Sequence, residues 1–258
     1  MSQMSQTALD LAIEGETCRL RKDYRKAISF FRQAIRKNDK YAWAYAHLGS
    51  AQLNRHGREV PSQDARENLE IAIALRQDHY PWAIAKLGQY WFESGNYPKA
   101  IEEYTKALKQ SPGYSWALAH RGWAYYRDSQ YEPAYRDFTA AIQNTDNEYA
   151  FAYAMRAATS GKIISQKESK IPEMRSDTEK LEAYKFILEK YHSVTADILQ
   201  AIFLNKNIYD RTRTSLDLSR FTNDMKTRGI AVGSHQFSLR FLEEVRAIED
   251  AARSQKTP

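Results

Sequence analysis

PWAIAKLGQYWFESGNYPKAIEEYTKALKQSPGY, residues 81–114, decides how this chain folds. Two apolar blocks stand on either side of Glu93-Ser-Gly-Asn-Tyr-Pro98, a break that turns a chain and cannot continue a helix. In the second block Ala100, Tyr104 and Ala107 fall at i, i+4 and i+7, one face of a helix. A large knob between two small sockets lets a second helix approach closely. In the first block Leu87, Gly88 and Trp91 do the same. The segment reads as helix, turn, helix, closed by Ser111-Pro-Gly113.

Working outward, the pattern recurs. Tyr41-Ala-Trp-Ala-Tyr-Ala-His-Leu-Gly49, Tyr114-Ser-Trp-Ala-Leu-Ala-His-Arg-Gly122 and Tyr149-Ala-Phe-Ala-Tyr-Ala-Met-Arg-Ala157 match Tyr80–Gly88. Gly15, Gly49, Gly88 and Gly122 are 34, 39 and 34 residues apart. The second block repeats as Ala27/Phe31/Ala34, Ala65/Leu69/Ala72 and Ala134/Phe138/Ala141, always at spacings of four and three.

These residues resemble the tetratricopeptide-repeat family, whose period and helix–turn–helix unit match. The closest correspondence is at 81–114, through Leu87, Gly88, Trp91, Tyr97, Ala100, Tyr104, Ala107 and Pro112. The resemblance implies an all-α fold, a right-handed superhelical solenoid with C-terminal capping helices. The expected units are 8–41, 42–80, 81–114 and 115–149, with a fifth beginning at 150. The second unit departs from the pattern by about four extra residues around Arg58–Gln63. Residues 163–258 read as a degenerate fifth repeat with a long helix, followed by capping helices near 214–228 and 235–253. The long helix carries Leu181, Tyr184, Leu188, Tyr191, Thr195, Ile198 and Ile202 as its stripe. Ser165 to Asp177, containing Pro172, reads as a polar linker before it. For the last helix Ser234 is the N-cap and Phe237, Phe241, Val245, Ile248 and Ala252 the apolar face.

Composition excludes several classes. Ten glycines and seven prolines in 258 residues are too few for an all-β chain of tight turns. A single cysteine, Cys18, rules out an internal disulfide and fits a reducing compartment. The polar N-terminus has no basic-then-apolar signal and no stretch is apolar enough to span a bilayer, so a soluble, cytoplasmic protein is expected. The histidines (47, 56, 79, 120, 192, 235) form no H-E-x-x-H motif, Gly161-Lys162 lacks the rest of a phosphate loop, and no G-x-G-x-x-G occurs. No enzymatic activity, cofactor or metal is expected.

The resemblance further implies a concave groove lined by the first helix of each repeat. Carried over position by position, it collects Trp43, His47, Ser50 and Asn54, then Trp82, Lys86, Gln89, Phe92 and Glu93, then Trp116, His120, Trp123, Tyr126 and Arg127. Phe151 would extend the row. Trp and Arg dominate binding hot spots because they bury much area and keep polar handles. His47, Lys86 and His120 share one register and read as a ladder of donors for carboxylates or carbonyls. Trp43, Trp82 and Trp116 read equally as wedges between repeats, whereas Trp123 has Ser50 and Gln89 as repeat mates. The two-carboxylate clamp of chaperone-binding relatives would fall on Ala12, Glu16, His47, Trp82 and Lys86, a poor match, so an acidic chaperone tail is not the expected ligand.

The expected function is that of a protein-interaction adaptor taking an extended or helical, possibly acidic, partner segment. The mild excess of six positive charges keeps nucleic-acid binding as an alternative. A peptide-responsive switch at the 165–177 linker is another. Nothing in the sequence fixes an oligomeric state.

Overall fold

A computed structural model describes residues 6–55, 61–146 and 148–204. Residues 58–60 of the insertion around Arg58–Gln63 and both expected capping helices, with Ser234 and the Phe237–Ala252 stripe, lie outside the described residues. Among the described residues the regular elements are helices, with no strand. The chain divides into two compact units, Met1–Asp128 and Ser129–Pro258.

The first unit holds α1 (Ala8–Leu20), α2 (Tyr24–Lys37), α3 (Ala42–Arg55), α4 (Gln63–Leu75), α5 (Pro81–Glu93), α6 (Tyr97–Gln110) and α7 (Ser115–Arg127). Each helix packs on the next, and α1, α3, α5 and α7 also touch one another in succession. That second set of contacts makes the first helices of the repeats one continuous wall.

The seam is built as its spacing requires. Ala27, Phe31, Ala34, Ala65, Leu69, Ala72, Ala100, Tyr104 and Ala107 are all fully buried. The glycines facing them are there for close approach: a Cβ on Gly88 would stand 2.9 Å from the Tyr104 ring, and one on Gly15 2.7 Å from Phe31. In the second unit Ala134, Phe138 and Ala141 are buried equally.

Three of the turns inside the repeats share one backbone device. Lys22, Gly95 and Ser129, each seven residues after a repeat glycine, have φ of 62°, 77° and 61°. The next residue stands at the N-cap position of the following helix, and in two of the three its side chain caps it. The Asp23 and Asn96 carboxylate and amide oxygens accept from Lys26 N and Lys99 N at 3.2 Å. Gln130 makes no such cap. A left-handed residue with a Cβ costs roughly 1–2 kcal/mol, part of which glycine returns as chain entropy. Exposed Lys22 replaced by Gly is therefore expected to stabilise the fold by about 0.5–1 kcal/mol, read as a higher urea midpoint at unchanged m.

In the second unit α8 (Tyr131–Gln143) packs on α9 (Ala150–Glu168), and α9 on α10 (Asp177–Leu204). Two sequence expectations change here. First, α9 runs on to Glu168 because Ile163 and Ile164 prolong its buried face, so the polar linker shrinks to a short stretch. That stretch includes the one-turn 3₁₀ helix Ile171–Glu173, anchored by buried Ile171. Second, the buried stripe of α10 is Ala183, Ile187, Val194, Asp197 and Ala201, rotated from the expected Leu181/Leu188 line. Smaller and β-branched residues let α10 lie close on Ala157 and Ile164 of α9. Arg156 of α9 adds a polar clamp: its Nε and Nη2 donate to the Asp197 carboxylate at 2.8 and 2.6 Å, and Nη1 donates to Thr139 Oγ1 at 3.3 Å.

Candidate partner-binding groove

The wall of α1, α3, α5 and α7 carries the expected groove residues in register. Six residues before each repeat glycine stand Leu9, Trp43, Trp82 and Trp116. Two before stand Ile13, His47, Lys86 and His120, and one after stand Glu16, Ser50, Gln89 and Trp123. Placed on adjacent helices, these positions meet across repeats.

The result is a nearly continuous file of rings. His47 is sandwiched between Trp43, 3.8 Å away at 21°, and Trp82 of the following repeat, 4.5 Å away at 12°. Tyr41 extends the stack beyond Trp43. The Lys86 ammonium lies 3.9 Å from the Trp116 ring centroid and 5.7 Å from Trp82. Trp116 stacks on its own His120 at 3.8 Å, and the His120 ring meets Trp123 edge-on at 6.2 Å. Trp123 then lies 4.4 Å from Phe92, Phe92 is 5.5 Å from Tyr97, and the Arg127 guanidinium covers Tyr97 at 4.9 Å. Trp82 and Trp116 thus do wedge between repeats, each on the residue two before the preceding glycine.

The donor ladder is corrected by this packing. The His47 Nδ1–H donates to Glu16 Oε2 at 2.9 Å, a carboxylate oxygen able only to accept. Burial nevertheless pushes its pKa down to about 4, with Arg19 and Lys86 acting in the same sense against Glu16. The His120 Nδ1–H donates to the Trp116 carbonyl at 2.9 Å, and burial pushes that ring down to about 3. Both imidazoles are neutral at pH 7. Lys86 alone of the three is a cation, and burial with nearby Arg19 lowers it to about 8 despite Glu93. It donates to Gln89 Oε1 at 3.0 Å, and Gln89 Nε2 donates to Glu93 Oε1 at 2.7 Å.

Sequence reasoning missed Arg19, which forks onto Glu16 through Nε at 2.7 Å and Nη2 at 2.6 Å. Its register, four after the repeat glycine, is that of Phe92 and Tyr126, and this was the available signal. Also missed were Leu9 and Ile13, which occupy the Trp and His/Lys positions of the first repeat and stay 57% and 55% exposed. Asn54 is exposed and donates to its own helix at Ser50 O, 2.8 Å. Tyr126 is partly buried, and Glu93 and Arg127 are exposed. Phe151 belongs to the second unit, 6.1 Å from Tyr149.

At neutral pH the wall carries Arg19, Lys86 and Arg127 against Glu16 and Glu93. Glu16 and Arg19 satisfy each other. Phe92 and Trp123 are half-buried against each other, and Glu93 and Arg127, close to them in sequence, are exposed. Among the described residues no group of His, Cys, Asp or Glu is placed to hold a metal ion, and no helix is long and apolar enough to cross a membrane.

A family model described as TPR repeat matches residues 88–129. No curated protein matches the chain. Among solved structures, TTC0263, a thermophilic TPR protein of Thermus thermophilus, is 17% identical, with TM-score 0.52 over 77% of this chain and all of that one. YrrB, described as a TPR protein with an unusual peptide-binding site, is 16% identical, with TM-score 0.50 over 77% of this chain and 92% of its own. A monomeric mutant of IFIT1 with Gppp-AAAA is 13% identical, with TM-score 0.63 over 93% of this chain and 50% of that one. At these identities the likeness is one of fold.

Proposed function

We propose, for a chain that is a tetratricopeptide-repeat protein by its repeats and its fold, that the wall of α1, α3, α5 and α7 holds an extended or helical segment of another protein. The chain then works as a non-enzymatic adaptor. The observation that carries this reading is the Phe92–Trp123 ring surface flanked by exposed Glu93 and Arg127. The tryptophan file packs on its own neighbouring rings, so it supplies a rigid floor. A stiff floor lowers the ordering cost of binding, and rings set in it give area with little entropy loss. Arg127 favours a carboxylate on the bound segment, next to an apolar or aromatic side chain lying on Trp123.

Lys86 is a poor target for a test, because it is wedged between two indoles and its loss disturbs the fold. Trp123→Ala/Arg127→Glu removes that indole and reverses that charge instead. Affinity capture followed by mass spectrometry is expected to lose the specific partner at least about tenfold with this variant, at unchanged helical circular dichroism. Retention of every specific partner by the folded variant would sink the reading.

Nucleic-acid binding is the second reading, favoured by the net positive charge, by the ring surface and by a structural neighbour that was solved with Gppp-AAAA. Glu16 and Glu93 on the wall weigh against it. Filter binding at low and moderate salt separates the two, since a phosphate-driven complex loses affinity steeply between about 50 and 200 mM.

A further inference from the structure

A concavity of the first unit lies between α4 and α6, with α5 beneath it. It encloses 540 Å³, within the range of small-ligand and side-chain pockets. Ile73, Ala74, Ile84 and Leu87 give it an apolar lining, and Glu70, Asp78, Glu103, Lys106 and Gln110 supply its polar groups. Ile84 and Leu87 are buried at 4% and 7% exposure, so the floor is part of the repeat core and does not rearrange cheaply.

Its charge runs against that of the chain. In a protein with a net charge of +6, three carboxylates face one ammonium here. The Lys106 ammonium sits 2.8 Å from both Glu102 and Glu103, and Arg66 Nε lies 3.5 Å from Glu70 Oε1. The Asp78 carboxylate forms no ion pair among the described residues. Gln110 also lines the cleft. Its Nε2 donates to the Asp78 carbonyl at 2.6 Å, and because a carbonyl only accepts, the amide orientation is fixed. Oε1 is thereby turned away, buried and met by no donor. A buried acceptor without a donor is costly to the fold, so a donor brought to it is favoured.

We propose that this cleft receives the arginine side chain of a partner polypeptide. The apolar lining suits the alkyl stem, while a planar guanidinium, with its donors in a fixed fork, can serve Gln110 Oε1 and a carboxylate together. A lysine ammonium satisfies fewer acceptors with less definite direction. A polypeptide, and not a free cation, is specified because α4 also exposes Ile71 and Leu75, 42% and 37% accessible, which a chain lying across the cleft would cover. The proposal is independent of the inner wall.

The test is a titration of the whole protein with Ac-Ala-Ala-Arg-Ala-Ala-NH2, followed by methyl NMR of Ile73, Ile84 and Leu87. The citrulline counterpart, isosteric and neutral, and free agmatine are run beside it. The arginine peptide is expected to shift these methyls saturably, with citrulline weaker by at least about tenfold and agmatine weaker than the peptide. Asp78→Asn/Glu103→Gln, near-isosteric changes checked by circular dichroism, is expected to lose the peptide by a similar factor. Equal shifts with citrulline, or none with arginine, overturn the cation site. Agmatine binding as tightly as the peptide overturns the polypeptide source.

Discussion

Lowering the pH from 7 to 4 is expected to destabilise the first unit by several kcal/mol, most of it through His47 and His120. The sign follows from their packing. In the fold burial holds the two imidazoles at about 4 and about 3, whereas in the unfolded chain both titrate near 6.5. Between those values the unfolded chain binds more protons, so each fall in pH favours unfolding. The stabilisation is complete above pH 6.5 and is lost progressively toward pH 4. Each ring contributes roughly 3 kcal/mol to that loss by pH 4. Glu16 adds to the acid loss: burial raises its pKa, but the Arg19 hydrogen bond and the His47 and Arg19 charges outweigh this and lower it overall. Lys86 acts in another window. Its folded value of about 8 lies below its ordinary 10.5, so its contribution returns only as pH rises from 8 toward 10.5. Urea unfolding at about pH 7.5 and about pH 4.5 checks the point. His47→Gln/His120→Gln starts less stable, having lost two stacked rings, yet its stability is expected to fall far less between the two pH values. Parallel declines for the parent and the variant would assign the acid sensitivity to carboxylates alone.

How legible this was in the sequence differs from one interaction to another. The seam alanines and their large partners were readable because i, i+4, i+7 is a local rule, and every one of them in the four repeats is buried. The turn at Lys22, Gly95 and Ser129 was legible as a break but not as a shared left-handed register, since only one of the three is glycine. The state of His47 was not legible at all. It depends on Glu16, 31 residues upstream, which meets the ring edge at Nδ1, and on Trp82, 35 downstream, which stacks on a face. A residue at a ligand-facing register is read as open until its neighbours are known. In this wall the neighbours are themselves ligand-type residues, and they bind one another.

Asp197→Ala is expected to cost the second unit about 3–5 kcal/mol, the usual loss when one partner of a buried, doubly hydrogen-bonded ion pair is removed. Asp197 is 3% exposed, and its loss leaves the Arg156 guanidinium with Thr139 Oγ1 at 3.3 Å and two rings, Tyr153 at 5.4 Å and Tyr135 at 5.9 Å. None of these neutralises it. The pair matters beyond its own energy because α10 offers two faces that pattern alone does not rank: the larger residues Leu181 and Leu188, or the smaller Ala183, Ile187 and Val194. An apolar seam tolerates rotation or a one-turn slip at modest cost; a bidentate carboxylate–guanidinium contact does not. Arg156 therefore selects the face that presents Asp197, which turns Ala183 and Ile187 onto α9 and leaves the Leu188 line half-covered. Two variants separate energy from register. Arg156→Leu/Asp197→Leu, with no charge left to strand, is expected to recover most of the stability that Asp197→Ala loses in urea. Hydrogen exchange along α10 in that double variant is expected to show weaker, more uniform protection, because nothing polar then pins the helix. Protection unchanged from the parent would mean that the apolar stripe alone fixes the register.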